Sequence, residues 1–298
     1  MSEVASLSDS ITPFLIDRAG VRGRIVRLGN VAHTILSRYE YPAPVAKLLG
    51  ELLLVASMLS SNLKQDGIFT IQVKGNGLVP LIVVDAEHGG NLRGYAEVPN
   101  GTKIADDASL RQLTGDDAYL AITLDPGAGM QRYQGVVAVE GDSLVDVLAH
   151  YFTQSQQLDV KFHLAVEKTP LPGATTPVWS AGGLMIERLP EAKTDDEEGW
   201  RYATAITGTV KADELLDPLL DAPALLYRLF HEEGVWVYDP QPLSVGCRCS
   251  RERILALLNS MPLDERADMV KSGPASVHCQ FCNTTQQFTA DELELKVN

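Results

Sequence analysis

The chain reads Pro44-Val-Ala-Lys-Leu-Leu-Gly-Glu-Leu-Leu-Leu-Val-Ala-Ser-Met-Leu59 and, shortly after, Ile68-Phe-Thr-Ile-Gln-Val-Lys74. In the first stretch Val45, Leu48, Leu49, Leu52, Leu53, Ala56 and Leu59 recur at spacings of three and four, which predicts a helix over Pro44–Leu63. Apolar positions cover most of its circumference, so it is expected to pack on more than one side. In the second stretch the period is two. Phe69, Ile71 and Val73 share one face, and Thr70, Gln72 and Lys74 share the other. Gly75-Asn76-Gly77 and His88-Gly89-Gly90 then turn the chain into Leu78–Val84 and Leu92–Val98, an antiparallel meander. Strands and helices do not alternate strictly beyond this point, which favours an α+β fold over a doubly wound sheet.

Outward from this core, strands are expected at Ala118–Leu124, Tyr133–Val139, Val160–Val166 and Leu184–Leu189, with Asp125-Pro126-Gly127 turning the first into the second. Gly182-Gly183 reads as a site of close packing or a bulge. A helix opens near Asp142-Ser143 and lines up Leu144, Val147, Leu148, Tyr151 and Phe152. After Pro190 the pattern loosens. Between Glu187 and Pro240 there are 13 acidic and 5 basic residues, including the run Asp195-Asp196-Glu197-Glu198. Short helices are expected at Ala212–Leu220 and Ala222–Glu232, the second capped by Asp221 with Pro223 in its first turn. Its stripe of Leu225, Leu226, Leu229 and Phe230 is narrow, and with so much like charge nearby these helices need a neighbour to dock on. The domain reading is an α+β core over residues 1–190, an acidic helical linker over 191–237, and a small C-terminal module over 238–298. That module is read with two short helices between its cysteine pairs, the first capped by Ser250. Thr289-Ala-Asp-Glu292 is read as a capping box opening a last helix.

The 298 residues hold 39 acidic and 25 basic side chains, a net charge of −14, which argues against a nucleic-acid surface as the main function. Met1 to Ser10 has neither a basic segment nor an apolar one, so no secretory signal is expected. The most apolar run, Leu48–Leu59, is shorter than the roughly 20 residues of a membrane span. The expected location is therefore the cytoplasm, where clustered thiols signify metal or redox chemistry and not structural disulfides.

All four cysteines lie at the C-terminal end, as Cys247-Arg-Cys249 and Cys279-Gln-Phe-Cys282, with 29 residues between the pairs. Two close pairs separated by enough chain to fold back suit a tetrahedral Zn²⁺ site with Cys247, Cys249, Cys279 and Cys282 as ligands. His278 is read as a bystander. A module of this size buries little apolar area, so a closed site that only holds it together is one reading. A second is a redox switch. Four thiolates on one Zn²⁺ leave a charge of −2, which Arg248, Arg251 and Arg253 stand to offset, and a thiolate is the form that oxidants attack. Oxidation to a disulfide removes ligands, and metal and folding energy are lost together. A third is a thioredoxin-like use of Cys279-X-X-Cys282, which requires a helix opening after a strand. Elsewhere no catalytic constellation emerges. His33, His88, His150, His163 and His231 are scattered, and Gly75-Asn76-Gly77 lacks the third glycine of a dinucleotide fingerprint. The expectation is a binding protein, not an enzyme.

Cys247-Arg-Cys249-Ser-Arg-Glu-Arg, the spacer and Val277-His-Cys279-Gln-Phe-Cys282 resemble the zinc module of the heat shock protein 33 family, the 33 kDa redox-regulated chaperonins. Further landmarks extend over nearly the whole chain: Tyr39-Glu-Tyr41-Pro42, Leu49-Gly50-Glu51-Leu52-Leu53, Gly67 with Ile71-Gln72, Leu92-Arg93-Gly94-Tyr95, Tyr151-Phe152-x-Gln154-Ser155 and Ala181-Gly182-Gly183-Leu184. The resemblance implies an ATP-independent holdase that binds unfolding client proteins under oxidative stress and is idle when reduced and zinc-loaded. It implies pairing of Cys247 with Cys249 and of Cys279 with Cys282 on oxidation, and a homodimer in that state. It also implies a metastable linker that folds over the N-terminal domain until oxidation loosens it. Gln156, where the family usually carries Glu, and Gln286, where it commonly carries Tyr, depart from the pattern. The alternative is a binding module whose zinc is purely structural and unresponsive to oxidants.

Overall fold

The computed structural model describes residues 6–61, 63, 67–127, 130–170, 175–189 and 196–294. It divides into two compact units, Met1–Val245 and Gly246–Asn298. In chain order the first unit contains β1 (Ser10–Ile16), β2 (Val21–Leu28), α1 (Asn30–Leu36), α2 (Ala43–Ser60), β3 (Ile68–Lys74), β4 (Leu81–Glu87), β5 (Asn91–Glu97) and α3 (Leu110–Thr114). It continues with β6 (Tyr119–Asp125), β7 (Tyr133–Ala138), α4 (Leu144–Tyr151), β8 (Val160–Pro170) and β9 (Pro177–Arg188). The middle segment then supplies α5 (Asp196–Thr207), α6 (Ala212–Leu216) and α7 (Ala222–Phe230), and the short strands β10 (Trp236–Val237), β11 (Gln241–Pro242) and β12 (Ser244–Val245) close the unit. This is the expected α+β architecture.

Two sheets organise it. One runs β10-β1-β2-β9-β8, with β11 also on β1, and all its pairs are antiparallel. The other runs β12-β5-β4-β3-β6-β7 and contains the predicted meander, with β12 on β5 as its parallel pair. Helix α2 packs on strands of both sheets, which is why it is apolar nearly all round. Leu49, Leu52, Leu53 and Val55 are all fully buried. Residues 43–60 are long and apolar enough to cross a membrane by composition, yet 72% of the stretch is buried inside the protein, as a core helix should be.

The first sheet uses both faces. Val26, Leu28, Ala181 and Met185 point to the α2 side, while Phe14, Ile16, Ile25, Leu184 and Ile186 form a second core with the middle segment. Leu215, Leu225, Leu226, Leu229 and Phe230 bury there, so the acidic helices are docked as their narrow stripes require. Each such side chain contributes about 1.5–3 kcal/mol when fully buried. Asp221 accepts from the Ala224 amide at 2.7 Å, the expected cap of α7.

The docking of α6 has a polar component. Arg27, buried in β2, donates from Nη1 to the Asp217 carbonyl (3.1 Å) and from Nη2 to the Glu214 carbonyl (3.2 Å), closing the C-terminal end of the helix. Opposite Arg27 in the sheet stands Gly182, where a Cβ would lie 2.4 Å from the Leu215 carbonyl oxygen. At Gly183 it would lie 2.6 Å from Met58 Cε, on the α2 side. The paired glycines thus allow close packing on both faces of β9.

Several boundaries differ from the sequence reading. The strand placed at Leu184–Leu189 begins at Pro177, because its first half pairs along the extended β8. The module boundary read at 238 falls after Val245. Tyr238 donates to the Pro13 carbonyl (3.0 Å) and Leu243 to Asp9 (2.9 Å), so β1 retains this stretch in the first unit. The Thr289–Glu292 box forms, with Thr289 N–H to Glu292 Oε2 at 3.0 Å, but closes a single turn among the described residues. The 190/191 boundary, Asp195 and the Gln156 side chain lie outside the described residues.

Two predictions follow from this packing. Burial pushes the Glu51 carboxyl in α2 up from 4.5 to about 7, against the opposing pull of Lys47. The folded chain then holds a proton that the unfolded chain has lost, so stability is full below about pH 4.5 and falls as pH rises toward 7. Glu51→Gln should raise the urea-measured unfolding free energy by up to roughly 3 kcal/mol at pH 8 and by little at pH 4. Gly182→Val should lift α6 off the sheet. Hydrogen exchange over residues 212–230 should accelerate while residues 43–60 stay protected.

Candidate metal centre

The second unit contains α8 (Arg251–Asn259), α9 (Leu263–Met269) and a hairpin of β13 (Ala275–Cys279) with β14 (Thr284–Phe288). Among the described residues its buried apolar core is Leu258, Ala275, Phe288 and Leu293. Ser250 caps α8, its hydroxyl accepting from the Arg253 amide at 3.3 Å. Arg266 reaches the Leu293 carbonyl at 2.7 Å and Asn259 reaches that of Glu292 at 3.3 Å, so polar contacts hold the last turn onto the helices. This is a small core for an independent module.

The four cysteines meet at one end of it. Cys247 and Cys249 precede α8, Cys279 ends β13, and Cys282 lies in the hairpin turn, where Asn283 adopts a left-handed φ of 56° and donates to the Cys279 carbonyl at 2.8 Å. All four sulfurs lie within 4.8 Å of one another. Sγ of Cys247 is 3.1 Å from that of Cys249 and 3.6 Å from that of Cys279, and Cys249 is 3.2 Å from Cys282. A tetrahedron with metal–sulfur distances of 2.3 Å has edges of about 3.8 Å, so the cluster is of the right size for one ion. An all-sulfur tetrahedral donor set fits zinc, or iron in a sulfur site, and suits neither calcium nor magnesium. Among the described residues this is the group of His, Cys, Asp and Glu side chains close enough to share an ion.

The sulfurs are unequal. Burial, then hydrogen bonds with the other three thiols, push Cys249 far up, and burial also raises Cys279. At Cys282 burial pushes up as well but is outweighed by hydrogen bonds from Thr284, Cys249 and Cys279, which bring its thiol down to about 6. Four sulfurs this close cannot all ionise without a cation, and a bound cation would displace their protons. Cys247 is exposed and the other three are half-buried.

His278 is a neighbour and not a fifth donor, its Nδ1 standing 3.1 Å from Thr285 Oγ1. Arg251, expected to offset the thiolate charge, is engaged elsewhere. It contacts the Gln287 carbonyl at 3.0 Å, Glu292 at 2.5 Å and the face of the Phe288 ring at 4.4 Å. Cys279-X-X-Cys282 sits at a hairpin turn, so the strand-to-helix setting of a thioredoxin-like site is missing. Sequence reasoning found every cysteine and marked Gln286 only as a departure from the family pattern; its Nε2 donates to the Cys249 carbonyl at 3.1 Å. Alternation in Ala275-Ser-Val-His-Cys279 would have revealed the strand that pairs with it.

A family model described as Hsp33 protein matches residues 9–289. The chain is 38% identical over 285 residues to a 33 kDa chaperonin of Caulobacter vibrioides, covering 93% of each. It is 40% identical over 283 residues to one of Vibrio parahaemolyticus, covering 95% of this chain and 92% of that protein. The crystal structure of the 33 kDa chaperonin of Thermotoga maritima superposes with a TM-score of 0.76 at 22% identity, covering 96% of this chain and 97% of that one, which shows the shared fold.

Cys249→Ser should strip metal from the purified chain, measured by atomic absorption. The thermal transition of residues 246–298 should be lost while that of residues 1–245 persists. Undiminished metal content would refute the four-sulfur assignment.

Proposed function

The chain belongs to the Hsp33 protein family, and on that premise we propose that it is a chaperone of the holdase kind, gated by oxidation of a zinc-bound Cys₄ centre. The observation that carries this reading is the convergence of four sulfurs within 4.8 Å in a unit whose buried core, among the described residues, is four side chains. Such a unit needs its ion. Zinc, when bound, keeps the sulfurs deprotonated and adds about 10–16 kcal/mol in peptides of comparable design.

Oxidation proceeds on the chain's own sulfur. One thiolate attacks the O–O bond of peroxide, giving a sulfenic acid and hydroxide; a neighbouring thiolate displaces the second hydroxide and forms the S–S bond. Two electrons leave the sulfurs, and peroxide becomes two waters after protonation. We assign the pairs as Cys247 with Cys249 and Cys279 with Cys282. Cys249 is nearly as close to Cys282 as to Cys247, so this pairing rests on the family resemblance and not on proximity. A disulfide is a poor anionic donor, and the module would unfold with the loss of its ligands.

Loosening would pass along the chain to the strands that precede Cys247 and then to α5–α7. Release of these helices would uncover Phe14, Ile16, Ile25, Leu184 and Ile186 on the first sheet, together with the stripe of α7. That apolar area is of the type that unfolding proteins bind. The apolar faces of α2 and α7 are buried in the present state. The activity is therefore latent in it. We place the protein in a reducing cytoplasm, acting by binding and not by catalysis, without a nucleic-acid or membrane partner and as a homodimer when oxidised.

Light scattering from a heat-unfolding client tests the reading. Peroxide-treated protein should suppress aggregation and reduced, zinc-loaded protein should not. Equal suppression by both would mean a constitutive chaperone with a structural zinc, and suppression by neither would reject the holdase.

A further inference from the structure

The two cysteine pairs are joined by contacts that do not involve sulfur, and these converge on β14. Gln286 donates from Nε2 to the Cys249 carbonyl at 3.1 Å. In the hairpin Gln286 stands opposite Val277, and Thr284 stands opposite Cys279. The strand that carries Gln286 is therefore also the one that fixes the second pair. Two residues beyond Cys249, Arg251 is bound to the same strand through the Gln287 carbonyl and the Phe288 ring. Arg251 anchors the start of α8, and Gln286 anchors the ligand segment before it.

The amide of Gln286 is used on one side only. Its Oε1 is buried and has no hydrogen-bond partner among the described residues. A side chain present only to fill this space would do so at less cost as an apolar residue of similar volume. What Gln286 adds over such a residue is its donor, and the donor meets the main chain of a sulfur ligand.

We propose that Gln286 is a positioning residue of the metal centre. By holding the Cys249 main chain against β14, it keeps the Cys249 sulfur beside those of Cys279 and Cys282 and so slows loss of the ion. The inference rests on the zinc reading above. Without the hydrogen bond, the Cys247–Cys249 segment has to be ordered each time the ion is bound, which appears as weaker affinity and faster release.

The full-length chain tests this with zinc alone. Gln286→Leu, or Gln286→Met should the first not fold, is compared with the unaltered chain and with Thr285→Val. The last change removes a hairpin hydrogen bond to His278, beside Cys279, and leaves the contact to the Cys249 main chain in place. Zinc affinity is measured by competition with a chromophoric chelator, and release is timed after chelator addition. Both Gln286 variants should bind zinc about 10–100-fold more weakly and release it correspondingly faster. Both variants keep roughly the volume of Gln286, so the loss reports the missing donor, and the melting transition of residues 1–245 should match that of the unaltered chain. Zinc affinity in the Gln286 variants within about twofold of the unaltered chain would overturn the inference, as would an equal loss in Thr285→Val. An unaltered chain that binds no zinc would instead overturn the metal reading, and this inference with it.

Discussion

A helix apolar on every side is stable in water only if every side is covered, and α2 imposes that demand on the rest of the first unit. No single sheet can meet it. Two sheets packed on α2 do, and this accounts for the meander on one side and the β1-β2-β9-β8 sheet on the other. The first sheet then has an outer face of its own, carrying Phe14, Ile16, Ile25, Leu184 and Ile186. That face is too apolar to stand in water, and the segment available to cover it is the most acidic part of the chain.

The cover is consequently held by a mixture of terms. Its apolar stripes bury, but α6 contributes one fully buried leucine and relies on Arg27 for its C-terminal carbonyls. Burial disfavours the Arg27 charge and pulls its pKa down, while Asp217 and Asp221 partly restore it. Without α6 the guanidinium would regain water, and no carboxylate partner would be left unpaired by its loss. A contact of this kind fixes the position of α6 on the sheet.

How much of this the sequence disclosed follows from whether the determining contact was local. Helix α2 and strands β3–β5 were legible because hydrophobic period and turn residues lie within the elements themselves. Asp221 and Ser250 were legible as caps for the same reason. Helix α1 was not, because its cap is remote: Asp9 Oδ1 accepts from the amides of Gly29 and Val31 at 2.8 and 3.0 Å. Strands β1 and β2 were obscured by Pro13 and by Arg22, Arg24 and Arg27, of which Arg24 and Arg27 are buried against all expectation for their type. In the second unit the cysteines announced themselves by spacing alone. The hairpin that carries two of them, and Gln286 within it, depended on pairing with Thr284–Phe288, a mostly polar run with no strand period of its own.

The last strand of the first unit gives the chain a mechanical character. β12 is two residues long, lies at the edge of its sheet, and pairs in parallel with β5 through Ser244 and Val245. Cys247 follows two residues later. Seen as a force path, β12 is a short strip of adhesive at the point where the tether leaves the body. Between β12 and the sulfur cluster the chain has one residue, Gly246. Were the cluster to open, residues 246–298 would become a polymer whose thermal agitation acts on the strip directly, and peeling would begin there and travel back through β11 and β10.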